Sequence, residues 1–153
     1  MKSVLTSILD NNELKMKIES FLLDRDIPVH CLTATSFPEG IQAVHDKMDS
    51  LVPFAKGRNC FGLSQQNESG VIVYKSGVEE FVDGELNHLL LEKIIIKKGT
   101  YSMIIIPDFF KNIPAIGEAF GKLISQPGID PNGWCVEWIL RNNVLRCMVR
   151  MAD

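Results

Sequence analysis

The sequence predicts an α+β domain made of two βαββ repeats, one antiparallel sheet with both helices on one face and a ligand cleft on the other. Three observations lead there. The order strand, helix, hairpin occurs twice, over about 28–80 and 91–151. The apolar stripes Ile41, Val44, Met48, Leu51 and Ile113, Ile116, Phe120, Leu123 share one helical spacing and superpose at one offset. With a three-residue insertion, Cys60-Phe61-Gly62-Leu63 then falls opposite Cys135-Val136-Glu137-Trp138.

Taken in order, residues 1–27 read as a helical extension. Leu14, Ile18, Phe21 and Leu22 recur at helical spacing over 4–24, and Asp10 with Glu13 resembles a capping box. Residues 28–153 form the single domain that follows. Val29 to Ala34 is rich in β-formers, and Ser36-Phe37-Pro38-Glu39 starts the first amphipathic helix. Cys60 to Gln65 and Val71 to Lys75 form a hairpin about the polar turn Asn67 to Gly70. Residues 77–90 are acidic and loose, a connection with a short helical turn near Glu85 to Leu90. Leu91 to Ile96 and Tyr101 to Ile106 are strands on either side of a break at Lys97-Lys98-Gly99, and the second helix ends at Pro127-Gly128. The last hairpin pairs 134–140 with 144–151. Asp130-Pro131-Asn132-Gly133 leads into it, and Asn142-Asn143 turns it.

Composition narrows the function classes. At 153 residues one domain buries a real core. A net charge of −3, with no basic run longer than Lys97-Lys98, argues against a nucleic-acid surface. No apolar run approaches the roughly 20 residues of a membrane span, and the N-terminus lacks a secretory pattern, so a cytoplasmic location is expected. Cys31, Cys60, Cys135 and Cys147 sit in apolar segments without Cys-x-x-Cys spacing and read as reduced, buried thiols. His30, His45 and His88 share no metal-ligand spacing and read as surface or capped residues, so neither metal nor cofactor is expected.

One residue stands out. Glu137 lies between Val136 and Trp138 in an otherwise apolar strand. An ionised carboxylate in apolar surroundings costs several kcal/mol unless it is paired. Glu137 therefore either faces solvent or awaits a cationic or hydrogen-bonding partner. If the helices cover the Val136 and Trp138 side, Glu137 faces the cleft.

Lys98-Gly99-Thr100-Tyr101 opening an apolar strand, a helix after it, and Cys135-Val136-Glu137-Trp138 before a final strand resemble the gyrase-inhibitor-like small-molecule-binding domain. That domain also serves as the effector-binding domain of bacterial multidrug-sensing transcription activators. The resemblance covers roughly 28–151 and implies two βαββ repeats about a ligand cleft. It implies a pocket carboxylate that attracts lipophilic cations, a role that carries over to Glu137, and an aromatic wall, for which Tyr101 is the matching position. Tyr74, Phe61 and Trp134 join the candidate ligand-binding set by location. The chain departs from the pattern in lacking an attached DNA-binding domain, in its N-terminal extension, and in having Gly62 where the second half has Glu137.

Three functions follow as expectations. The first is a stand-alone sensor or sequestering protein for a lipophilic, cationic small molecule. The second is a hydrolase of reactive electrophiles with Glu137 as general base and Tyr101 as hydrogen-bond donor. The third is an inhibitor that engages a protein partner, with a homodimer also open. Haem binding, known for a related fold, finds no suitably placed histidine. Binding carries more weight than catalysis, because no nucleophile, metal site or further dyad accompanies Glu137.

Overall fold

A computed structural model describes residues 16–53 and 57–153. Eight strands form one antiparallel sheet in the order β1-β6-β8-β7-β3-β4-β2-β5. They are β1 (Glu19–Leu23), β2 (Ile27–Thr33), β3 (Cys60–Gln66), β4 (Ile72–Glu79), β5 (Glu92–Ile96), β6 (Gly99–Ile106), β7 (Cys135–Ile139) and β8 (Leu145–Arg150). The two α-helices among the described residues are α1 (Ile41–Leu51) and α2 (Pro114–Ile124). The unit strand–helix–strand–strand thus occurs as β2-α1-β3-β4 and as β6-α2-β7-β8. These strands fill matching places on either side of the β3–β7 junction.

The sheet is forced to curl. β1 stands first in the order and β2 seventh, yet only Asp24, Arg25 and Asp26 connect them. β5 stands last and β6 second, joined by Lys97 and Lys98 alone. Chain reach of about 3.5 Å per residue obliges the two ends of the sheet to approach each other. A half-barrel results, whose inside is packed by Ile27, Val29, Phe61, Leu63, Tyr101, Val136 and Met148 among others.

Strand alternation then decides what lies outside. Helix α2 lays Ala115, Ala119 and Leu123 on Ile104, Ile106, Leu145 and Cys147, with Cys135 and Ile139 beside them. Helix α1 lays Met48 against Val78, with Leu32 and Cys60 alongside. Every one of those strand residues is out of phase with the inward set, so the helices rest on the outer side of the curl.

The structure corrects three expectations. The face opposite the helices is not an open cleft. It is the apolar inside of the half-barrel, and a cavity of about 330 Å³ remains at one end. The helix expected over 4–24 falls largely outside the described residues, but its last part is β1, a strand paired with β6. Phe21 and Leu23 alternate inward there while Leu22 is 69% exposed, so pairing with a free sheet edge overrides the helical spacing. The acidic stretch begins as strand, since β4 runs on to Glu79; the helical turn expected near Glu85 to Leu90 is a 3₁₀ turn, Asn87–Leu89.

Candidate functional site: a carboxylate between two helices

Strand β7 carries Val136 and Trp138 to the inside, and therefore Glu137 to the outside, the side that bears the helices. The condition set from sequence is thus met in the opposite sense: the helices cover Glu137's own side. Helix α1 packs on β2 and β4, and α2 on β6 and β8, which leaves the central β3–β7 pair between them. In that trough Glu137 lies directly opposite Gly62 of β3 and Cys147 of β8.

Glycine at 62 makes the arrangement possible. A methyl group there would overlap both the Tyr74 hydroxyl and Oε1 of Glu137. With the methyl absent, Tyr74 reaches over β3 and donates its O–H to Glu137 Oε1 at 2.5 Å. The Tyr74 oxygen lies 2.8 Å from Nε2 of His45 on α1, and Nδ1 of the same ring lies 2.9 Å from Oγ of buried Ser76. Phe37, on the loop before α1, stacks on Tyr74 with centroids 6.0 Å apart and planes at 29°. A cavity of about 340 Å³ adjoins this pair, lined by Thr33, Thr35, Phe37, Val71, Ile72 and Tyr74.

The electrostatics are those of a desolvated acid. Glu137 retains partial access to solvent, but the surrounding protein displaces most of its water. Among the described residues no lysine or arginine forms an ion pair with it. Desolvation raises its pKa, and the Tyr74 hydrogen bond opposes that only in part. Burial and the neighbouring carboxylate together push the Tyr74 phenol well above its ordinary value, while burial lowers that of His45. Burial also raises the thiols of Cys135 and Cys147, with the charge of Glu137 contributing to both. Burial thus favours the neutral imidazole, in which one nitrogen donates and the other accepts.

The residues proposed from sequence fall on two sides of the sheet. Tyr74 joins Glu137 in the trough. Tyr101, Phe61 and Trp134 belong to the inside cluster. Phe61 is wholly buried against Trp138, and Tyr101 donates its hydroxyl to the Lys97 carbonyl, burial pushing its pKa up to about 12. Tyr101 and Trp134 line the 330 Å³ cavity together with Lys97, Asp130 and Arg150, away from Glu137.

His45, Ser76 and Phe37 lie outside the set of site residues expected from sequence. The expectation that the histidines are surface or capped residues holds for His88, which is exposed. His30 is instead fully buried, with Nε2 2.9 Å from a Glu80 carboxylate oxygen, and His45 is half-buried within the trough. His45 did carry a local signal, standing four residues after Ile41 on the flank of the apolar stripe. Its partners, 29 and 31 residues away, are set by topology alone.

No protein-family model matches the chain, and no curated protein sequence does. Among solved structures, an integron cassette protein from the mobile metagenome of Vibrio cholerae is similar, with a TM-score of 0.63 at 10% identity, over 88% of this chain and 95% of that one. A hydrolase from Listeria innocua aligns over 94% and 96% of the two chains at 9% identity, with a TM-score of 0.44. At 10% identity the first likeness is one of fold, an α+β half-barrel shared with the cassette protein.

Proposed function

We propose that the chain is a small-molecule-binding protein whose ligand is a lipophilic cation held in the trough between α1 and α2. The observation that carries this reading is Glu137, a desolvated carboxylate with partial access to solvent and no cationic partner among the described residues. A bound cation supplies the missing charge and restores the ionised form. The Tyr74 ring, whose hydroxyl touches the carboxylate, stacks on Phe37, and a cation over an aromatic face gains about 0.5–2 kcal/mol. Such a site selects charge and flatness over detailed shape, as expected of a sensor or sequestering protein of the gyrase-inhibitor-like kind. The matched placement of the two strand–helix–strand–strand units supports the two-repeat architecture that the resemblance implies, while the carboxylate lies on the helix side of the sheet rather than in a cleft on the opposite face.

Thermal-shift screening tests this directly, because a ligand that binds only the folded state raises Tm by mass action. Lipophilic cations should raise it, and neutral molecules of the same size should not. Equal shifts for both would remove the electrostatic basis of the proposal.

A second reading rests on the hydrogen-bonded chain behind the carboxylate. Glu137 with a raised pKa, linked through Tyr74 to His45, is equipped to take a proton from water as a general base. Tyr74 then fills the donor role that sequence reasoning gave to Tyr101. Turnover of an electrophilic ester or epoxide that disappears in Glu137→Gln would establish catalysis.

A further inference from the structure

We infer that Ser76, His45, Tyr74 and Glu137 act as one relay, in which the tautomer of His45 follows the charge on Glu137. His45 is thereby a positioning residue for the ligand-binding carboxylate. The inference deepens the proposed function and depends on that reading only where a ligand is added.

The geometry fixes the logic. Tyr74 has one proton and two neighbours, Glu137 Oε1 at 2.5 Å and His45 Nε2 at 2.8 Å, so it donates to one and accepts from the other. When Glu137 is ionised it has no proton to give, and Tyr74 must donate to it. His45 then donates Nε2–H to the Tyr74 oxygen, and Nδ1 accepts from the Ser76 hydroxyl at 2.9 Å. When Glu137 carries a proton on Oε1 the whole direction reverses. The acid donates to Tyr74, Tyr74 donates to Nε2, and His45 carries its proton on Nδ1, donating to Ser76 Oγ. Both arrangements use the same three heavy-atom separations and leave the imidazole neutral. Passing from the second to the first releases one proton to solvent and converts Nδ1–H to Nε2–H.

The surroundings leave this chain in control. Across from Glu137, β3 brings uncharged Gly62 and Ser64, β8 brings Cys147, and β7 itself adds Cys135, both thiols held up by burial. Helix α2 turns Ala115, Ala119 and Leu123 to the sheet and keeps Glu118 and Lys122 exposed. Helix α1 offers His45 and, next to it, exposed Asp46, which favours an imidazolium less strongly than burial opposes it. The two nitrogens of His45 are engaged by Tyr74 and Ser76.

Nitrogen NMR of the ring of His45 in the intact protein reads the relay, since the two neutral tautomers and the imidazolium give distinct signal pairs. On raising pH through the Glu137 titration, the pyrrole-type and pyridine-type signals of Nδ1 and Nε2 should exchange places, with no imidazolium formed. Tyr74→Phe should abolish the exchange while Glu137 still titrates. A single tautomer throughout, imidazolium formation over the same range, or exchange that survives in Tyr74→Phe would each overturn the relay. Tetraphenylphosphonium, added below the Glu137 midpoint, should drive His45 to Nε2–H and release a proton, read by calorimetry in buffers of different ionisation enthalpy. If the cation binds and the tautomer does not move, the coupling is overturned. If the pH exchange occurs but the cation does not bind, the relay stands and the cation-binding reading falls.

Discussion

Gly62 and Glu137 are cross-strand partners on the helix side of the sheet, and the side chain missing from the first makes room for the second. Their alignment in the two halves of the sequence marks a place where the halves must differ. Two side chains of glutamate size at one cross-strand pair would collide with the Tyr74 hydroxyl. Gly62→Ala should therefore destabilise the fold by about 1–3 kcal/mol, the usual cost of overfilling a packed site. At this chain length that lowers Tm by about 2–4 °C per kcal/mol. The same substitution in a Glu137→Ala background should cost less, because one of the two obstructing groups is gone. Equal costs in both backgrounds would mean that Gly62 serves the strand rather than the carboxylate.

Glu137→Gln should raise stability at neutral pH. A raised folded-state pKa means that the native protein binds more protons than the unfolded chain between the two pKa values. The favourable contribution of Glu137 is thus fully present below the unfolded carboxyl pKa, and it is lost as pH rises through the folded value. Gln keeps the acceptor for Tyr74 without the desolvated charge. Thermal melts of both proteins against pH should coincide in acid and diverge in favour of Gln toward neutrality. A gap that is constant with pH would assign the effect to packing.

The Tyr74 hydrogen bond should behave as one member of a network. Tyr74→Phe leaves the Glu137 carboxylate and Nε2 of His45 without the phenol they share, at a cost of about 1–3 kcal/mol. Combined with Glu137→Gln, the loss should depart from additivity by about 0.5–3 kcal/mol. Additive losses in urea unfolding would show the two groups to be independent.

The fold was legible where local pattern and tertiary need agree. The two helices, the Asn67–Gly70 turn and the Asn142–Asn143 turn each announce themselves in a few residues, but the expected stripes hold only in part: α1 buries Val44 and Met48 while Leu51 is exposed, and α2 buries Ala115, Ala119 and Leu123 while Ile113 is exposed. Phe21 and Leu23 did not, because the partner that makes β1 a strand is β6, nearly 80 residues on in sequence. Glu137 was visible as a carboxylate among Val and Trp. The side it faces was not, since alternation gives two faces and only the curl of the sheet decides which is filled. Tyr101, Phe61 and Trp134 fall on the inside for the same reason: aromatics in and beside strands mark burial without saying on which face, and Tyr101 and Trp134 line the 330 Å³ cavity there rather than the trough. His45 and Ser76 meet only because α1 crosses β4.

Acid sensitivity should arise elsewhere, at Glu80. Its carboxylate accepts the Leu86 backbone N–H at 2.9 Å and pairs with buried His30, and the backbone bond does most to hold its pKa at about 2. With the folded pKa depressed, this stabilisation is present above the unfolded carboxyl value and is lost as pH falls toward the folded one. Glu80→Gln should lower Tm at pH 7 and flatten the fall between pH 5 and about pH 2. An unchanged acid limb would place the sensitivity in other carboxylates.

Calorimetric titration of tetraphenylphosphonium into the wild-type protein and into Glu137→Gln, with a neutral tetraphenyl analogue alongside, decides whether the trough carboxylate holds a cation. The cation should bind the wild type saturably and Glu137→Gln about tenfold or more weakly, and the neutral molecule should differ little between the two proteins. Equal affinity of both proteins for the cation, or no binding to either, would contradict that role of Glu137.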